Sequence, residues 1–334
     1  MILSRTPLRV SFFGGGTDLA AYYEYDYGCV LSTSIDQYVY VVLNKRSFDN
    51  KIFLKYRLSE IVDSVDQILH PTIRESLKFL NIKGGVEIGS LADIPAYGTG
   101  LGSSSSFLVG VLNALYKYIG TDASAKILAE NSCKIEIDTL KEPIGKQDQY
   151  CAAYGGFNLI KFYKGGKVEI NPLKTSPNTL ESLNKKLLFF YTGLNRKASQ
   201  ILKHQKRDTE KKIDTLHKMK SIAEKAYSEL LHNRFESFGD LLHESWLAKK
   251  SLAQGISNDL IDNYYSLALG AGAKGGKVLG AGGGGFLMFY CEEEKQAAVK
   301  SALRPLKEIG FNFSNGGSKI VYVESEKYSK DIKD

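Results

Sequence analysis

Cysteine is scarce: Cys29, Cys133, Cys151 and Cys291 are the only four in 334 residues, and no two of them form a CxxC pair. That spacing argues against a disulfide framework or a thiolate zinc site and leaves buried, reduced thiols as the expectation. No apolar run approaches the roughly 20 residues that a membrane-crossing helix needs. The amino terminus, MILSRTPLRVSFFGGGTD, lacks the basic stretch, long apolar stretch and small-residue cleavage site of a signal peptide, so the expected location is the cytoplasm. A strong excess of one charge is missing too, since 44 Lys and Arg against 37 Asp and Glu leave a net +7. The one basic run, KHQKRDTEKK at 203–212, is interleaved with Asp208 and Glu210 and continues into Ile213, Leu216, Met219, Ile222, Ala223 and Ala226 at helical spacing. It reads as the solvated face of an amphipathic helix, so neither nucleic acid nor a membrane is an expected partner. His70, His204, His217, His232 and His243 show no metal-ligand spacing.

What is present is the composition of a globular chain, 43% hydrophobic with 32 glycines, long enough for two domains. Period-2 and period-3.6 patterns predict strands at Arg9–Phe13, Gln37–Asn44, Val86–Ile88 and Phe157–Phe162, and helices at Phe107–Ile119 and Ala123–Ile137. The turn-rich NPLKTSPNTLESL at 171–183 is the best domain boundary, dividing the chain into residues 1–175 and 176–334. Beyond it come the strand KLLFFYTG, helices from about 197 to 269, a glycine-rich zone, the strand GFLMFYC, a helix from about 293 to 309 and the strand SKIVYVES. Both halves are therefore α+β.

The stretch DIPAYGTGLGSSSSFLVGVLNALYKYI at 93–119 carries the clearest chemistry. Leu108, Val111, Leu112, Leu115 and Ile119 form one helix face, so the helix begins at or just inside the serine run. Ser103–Ser106 can cap it, and Gly98, Gly100 and Gly102 let the preceding backbone approach a ligand. One serine would suffice for a cap. Three alternating glycines and four serines at the positive end of a helix point instead to an anion site. There is no lysine after the last glycine, so a P-loop is excluded, and the GxGxxG at Gly270, Gly272 and Gly275 follows a helix and reads as a plain loop.

Three other stretches add polar groups. In TPLRVSFFGGGTD, Arg9 and Asp18 flank a triple-glycine turn. In CKIEIDTLKEPIGKQDQYCAAYGG, Glu136, Asp138 and Asp148 could hold magnesium or accept a hydroxyl proton, or simply line a polar loop. KVLGAGGGGFLMFYC could be a tight turn or a loop packed on a ligand.

Together PLRVSFFGGGTD, PAYGTGLGSSSS, GKQDQ and KVLGAGGGGF occur in the order and approximate spacing of the kinases named for galactokinase, homoserine kinase, mevalonate kinase and phosphomevalonate kinase. Each motif alone is weak, but the ordered set resembles that GHMP family from Pro7 to Phe286. The resemblance implies a two-domain fold with ATP and substrate in the cleft between domains. It implies a phosphate-binding loop at Gly98, Gly100, Leu101, Gly102, Ser103, Ser104 and Ser105. Mg2+ would be held by Ser104, or by Ser103 or Ser105 if the run aligns one residue off, with Glu136. Asp148 would be the catalytic aspartate, Arg9 the cation beside it facing the transferring phosphoryl group, and Gly283 with its neighbours a supporting loop.

Where galactokinases carry Glu-His, this chain has Gly15 and Gly16, while Asp18 remains at the sugar-binding aspartate's place. The expected pocket therefore accepts a different or larger sugar. GGGTD and YTGLNRKASQIL resemble the bacterial D-glycero-D-manno-heptose 7-phosphate kinases, which phosphorylate an anomeric hydroxyl. That likeness implies a phosphosugar site at Thr192, Gly193, Arg196 and Ser199, with Lys197 beside them, at a strand-to-helix junction. Fucokinases share a related first motif and set the competing substrate, and a non-catalytic sugar and ATP sensor is the alternative of another class. A monomer or homodimer is expected.

Overall fold

The computed structural model describes residues 1–94, 98–194, 198–207 and 209–324. Its larger sheet is built around two long strands, β1 (Ile2–Phe13) and β2 (Gly28–Lys45). β3 (Ile52–Lys55), β4 (Ser59–Val62) and β5 (Val86–Ala92) extend it beyond β2. β6 (Phe157–Phe162) pairs with the first half of β2, and β7 (Val168–Pro172) pairs with β6. The smaller sheet holds β8 (Leu187–Tyr191), β9 (Gly275–Val278), β10 (Phe286–Tyr290) and β11 (Lys307–Glu308) in the order β11-β8-β10-β9. The chain then returns to the larger sheet: β12 (Phe313–Ser314) pairs with β2 and β13 (Lys319–Val323) with β1.

Among the helices, α1 (Ala20–Tyr23) and α2 (Pro71–Phe79) are short, and α3 (Ser103–Tyr118) lies against β1 and β2. α4 (Ala125–Cys133) runs into a π-helical turn at Lys134–Thr139, and α5 (Gln147–Tyr154) follows. α6 (Pro177–Lys185) leads to β8. α7 (Ala198–Arg207), α8 (Ile213–Leu231), α9 (Phe238–Lys250), α10 (Asp259–Gly270) and α11 (Glu293–Ala302) complete the set. One hydrophobic core joins the two sheets, running from Phe12 and Phe13 through Ile222, Leu241 and Leu242 to Phe286 and Met288. The four cysteines are free and buried.

Several boundaries differ from the pattern-based expectation, each for a local reason. β1 begins seven residues before Arg9. Pro7, which lacks an N–H, is accommodated where the register with β2 shifts between Pro7 and Arg9. α4 ends at Cys133 because the next turn widens to a π turn, with Leu140 N–H donating to Ile135 O. The last long helix stops at Ala302 in place of residue 309, and Lys307–Glu308 pair as a strand with β8.

The loop before α3 meets the loop after β9 back to back at Gly100 and Gly280. Gly100 has φ +79°, and a Cβ there would lie 2.4 Å from Leu279 O. Gly165 has a similar φ of +73° but no atom within 4 Å of its Cβ position. Gly165→Ala should therefore cost only left-handed strain, about 1 kcal/mol in urea unfolding, whereas Gly100→Ala should cost more than about 2 kcal/mol because the two loops must also part. Equal losses for the two variants would contradict this packing.

Candidate active site

The four motifs converge on one cleft of ≈ 390 Å³. α3 starts at its floor, and its N-cap residue, Gly102, is left-handed at φ 75°, ψ 20°. No serine caps this helix; that expectation is overturned because all four serines lie inside the first turns with their hydroxyls turned elsewhere. Ser104 Oγ donates to Glu136 Oε1 at 3.2 Å and Ser105 Oγ to Glu136 Oε2 at 2.7 Å. Ser106 Oγ donates to Pro7 O at 2.8 Å, and Ser103 Oγ lies 3.4 Å from the Thr99 hydroxyl. With no side chain capping it, this helix start, with Ser103, Ser104 and Ser105 on the cleft wall, suits an anion.

Arg9 and Asp148 form a bidentate pair, Nε to Oδ1 at 2.9 Å and Nη2 to Oδ2 at 2.8 Å. The third arm of the guanidinium, Nη1, donates to Gly100 O at 2.6 Å. Arg9 is buried, so β1, α5 and the glycine loop are tied at one fixed fork. Glu136 sits on the π turn, 3% exposed, and also accepts from Gln149 Nε2 at 2.5 Å. Burial raises its pKa to about 7, the hydrogen bonds from Ser105, Gln149 and Ser104 acting against that rise and the Asp148 charge adding to it. A carboxylate with three donors and, among the described residues, no basic partner, beside a buried Gln149 Oε1 that has no hydrogen-bond partner among them, suits a hard divalent cation. Among the described residues no cluster of three His, Cys, Asp or Glu could hold a metal, so water and phosphate oxygens would complete its shell.

The sugar-binding end is set by Asp18. Its Oδ1 accepts from Gly16 N–H at 2.9 Å and its Oδ2 from Gln147 N–H at 3.3 Å. Burial raises its pKa, the two backbone donors opposing that rise. Gly15 and Gly16 line the cleft beside it. The space above Gly16 is not vacant as the missing side chains suggested: Gln205, reaching in from α7, would lie 2.2 Å from a Cβ there. Ser11 Oγ and Gln147 Oε1, both on the cleft wall, have no hydrogen-bond partner among the described residues.

Gly98, Gly100, Gly102, Ser103, Ser104, Ser105, Glu136 and Asp148 line the cleft with Arg9, Asp18, Gly15 and Gly16. Leu101 does not: its side chain is fully buried and its carbonyl accepts from Arg9 N–H. Thr192 and Gly283 are not on the cleft wall. The Thr192 hydroxyl donates to Gly285 O and accepts from Leu194 N–H, and Gly283 N–H donates to Ile256 O, so both are spent on loop structure. Gly193 is exposed and lies off the cleft wall. Arg196 and Lys197 lie outside the described residues, as does the side chain of Ser199.

Among the wall residues that went unforeseen are Ser11, Thr99, Gln147, Gln205 and Lys249. Lys249 had a readable signal. The buried stripe of α9 runs Phe238, Leu241, Leu242, Ser245, Trp246 and Lys249, placing a lysine at an apolar register position.

The model of the GHMP kinases N-terminal domain matches residues 67–156, and that of the GHMP kinases C-terminal domain matches 226–306. The D-glycero-alpha-D-manno-heptose 7-phosphate kinase of Campylobacter jejuni is 32% identical over 95% of this chain and 98% of its own. The chain belongs to the GHMP kinases. These are ATP-dependent phosphotransferases. This GHMP kinase also matches the crystal structure of a D-glycero-D-manno-heptose 1-phosphate kinase from Bacteriodes thetaiotaomicron, with TM-score 0.81 and 26% identity over 97% of this chain and 100% of that one. A bifunctional fucokinase/GDP-fucose pyrophosphorylase of Arabidopsis thaliana is 27% identical over 64% of this chain and 20% of its own.

The raised pKa of Glu136 fixes a sign. Its folded-state value of about 7 lies above the ordinary 4.5, so stability contributed by the protonated form is complete below pH 4.5 and lost as pH rises to about 7. In metal-free protein, Glu136→Gln should raise stability at pH 8 by on the order of 2–3 kcal/mol and have little effect at pH 4.5. Thermal melts at the two pH values check this, and a pH-independent loss would contradict it.

Proposed function

We propose that this GHMP kinase transfers the γ-phosphoryl group of ATP to the anomeric hydroxyl of D-glycero-D-manno-heptose 7-phosphate, giving the 1,7-bisphosphate for nucleotide-activated heptose synthesis. The observation that carries the sugar is the near full-length likeness to a relative named for that substrate. The unpartnered Ser11 Oγ and Gln147 Oε1 beside Asp18 support it, as acceptors and donors ready for sugar hydroxyls. ATP as donor and four buried thiols suit a cytoplasmic setting. The substrates would meet between residues 1–175 and 176–334, since the wall draws on Arg9–Asp148 and on Leu202–Gly284.

In the transfer, the anomeric oxygen bonds to the γ-phosphorus as the bond to the β–γ bridging oxygen breaks, and ADP leaves. Asp148 receives or orients the hydroxyl proton, and Arg9 holds Asp148 at a fixed angle. The helix start at Ser103–Ser105 seats the polyphosphate. Ser104 and Glu136 would hold Mg2+, which when bound supplies charge neutralisation across the phosphate oxygens. Ser105 and Gln149 keep Glu136 oriented.

The test is ADP release by the purified protein with heptose 7-phosphate, heptose 1-phosphate and fucose. The heptose 7-phosphate should be preferred; preference for fucose would support the fucokinase reading, and no ADP with any sugar would leave the sensor. Glu136→Gln should raise the Mg2+ needed for half-maximal activity at least tenfold. Arg196 is the proposed donor to the 7-phosphate, because Leu202 and Gln205 of α7, which begins two residues later, line the cleft. Arg196→Ala should raise KM for the phosphosugar tenfold or more, about 1.4 kcal/mol, and leave KM for ATP unchanged.

A further inference from the structure

Lys249 ends the buried stripe of α9 and is 5% exposed, yet it lines the cleft. Its Nζ donates to Gly280 O, and among the described residues that carbonyl is its one hydrogen-bond partner. An ammonium carries three N–H donors, so two remain for the cleft. No carboxylate is paired with it among the described residues, although a buried ammonium without an anion is costly. The position of its anchor says where an anion would complete it. Gly280 packs on Gly100, a Cβ on Gly280 lying 2.6 Å from Gly100 Cα. Gly100 O is the carbonyl that holds Arg9 Nη1. Arg9 and Lys249 therefore hold the carbonyls of the two touching glycines of the two loops, while the other two arms of Arg9 go to Asp148.

We propose that Lys249 is a further catalytic residue of the transfer, donating two N–H bonds to non-bridging oxygens of the γ-phosphoryl group while Arg9 and Asp148 manage the sugar hydroxyl. It makes and breaks no covalent bond: the proton of the sugar hydroxyl still goes to Asp148 and the electron pair of the broken P–O bond to ADP. Charge spread over those oxygens grows in importance at the transition state, so the contact acts on turnover more than on binding. Its ionisation agrees with the site. Burial first, then the Arg9 charge, brings the Lys249 pKa down to about 8, while Asp18 and Asp148 pull it back up. Lys277 faces it from β9, its own ammonium buried against Ser11 O and Phe12 O.

The inference rests on the kinase reading, and the two fail separately: wild type without ADP release sinks the kinase, whereas the following outcomes concern Lys249 alone. With heptose 7-phosphate, Lys249→Met should lower kcat at least 100-fold with KM for ATP and phosphosugar changed less than threefold. A large rise in phosphosugar KM at unchanged kcat would place Lys249 on the substrate's own phosphate and overturn the proposal. Lys249→Arg guards against misfolding and against a merely structural role at Gly280. Wild-type kcat/KM should fall above about pH 8 as Lys249 loses its proton. Lys249→Arg, which stays charged, should recover at least tenfold over Lys249→Met and lose that alkaline fall. An alkaline fall that persists in Lys249→Arg, or Lys249→Met turnover within tenfold of wild type, contradicts the assignment.

Discussion

The bidentate contact between Arg9 and Asp148 is the constraint on which the rest of the site depends. The Arg9 side chain is buried, so without Asp148, itself only partly buried on the cleft wall, it would be a buried charge without compensation. The planar fork permits one geometry, and that geometry fixes three elements at once: β1 through the arginine, α5 through the aspartate and the glycine loop through Gly100 O. The loop then has to pass close, and a Cβ on Gly102 would lie 3.1 Å from Arg9 Cγ. Left-handed backbone at this position and close approach to a guanidinium are one requirement seen twice.

The same logic extends outward as a chain of charges that share too few partners. Among the described residues, Glu136 has donors and no cationic partner, Lys249 has a carbonyl and no anionic partner, and Asp18 is held by backbone N–H groups. Each is kept in a low-dielectric wall by packing that the two-sheet core supplies. Mg2+, polyphosphate and sugar hydroxyls are the groups whose chemistry would complete these sets.

Much of this was legible in the sequence where a local rule carried it. Alternating glycines before a serine run marked a tight loop that lies on the cleft wall, because left-handed backbone at Gly98, Gly100 and Gly102 leaves few other residue types. The strand Phe157–Phe162 was read to the residue, being preceded by Gly155 and Gly156 and buried at every position but Lys161. Local rules failed where a distant group decides. The serines fit a cap by propensity, but Glu136, 31 and 32 residues away from Ser105 and Ser104, claims two of their hydroxyls. Gln205 fills the space over Gly16 through a contact that no spacing announces. β12 and β13 return to the first sheet across nearly the whole chain, so a division at 175 does not describe their pairing. Lys249 is the intermediate case, a charge at an apolar position that the helical stripe would have flagged.

The central claim is that Arg9 and Asp148 act as one unit, and a double-mutant cycle on kcat/KM with Arg9→Met and Asp148→Asn tests it most directly. Each single change should cost about 10³-fold or more, and the double variant should fall within about tenfold of the worse single, because the second change removes a partner already useless. Losses that multiply, with both variants folded, would show two independent groups and contradict the account.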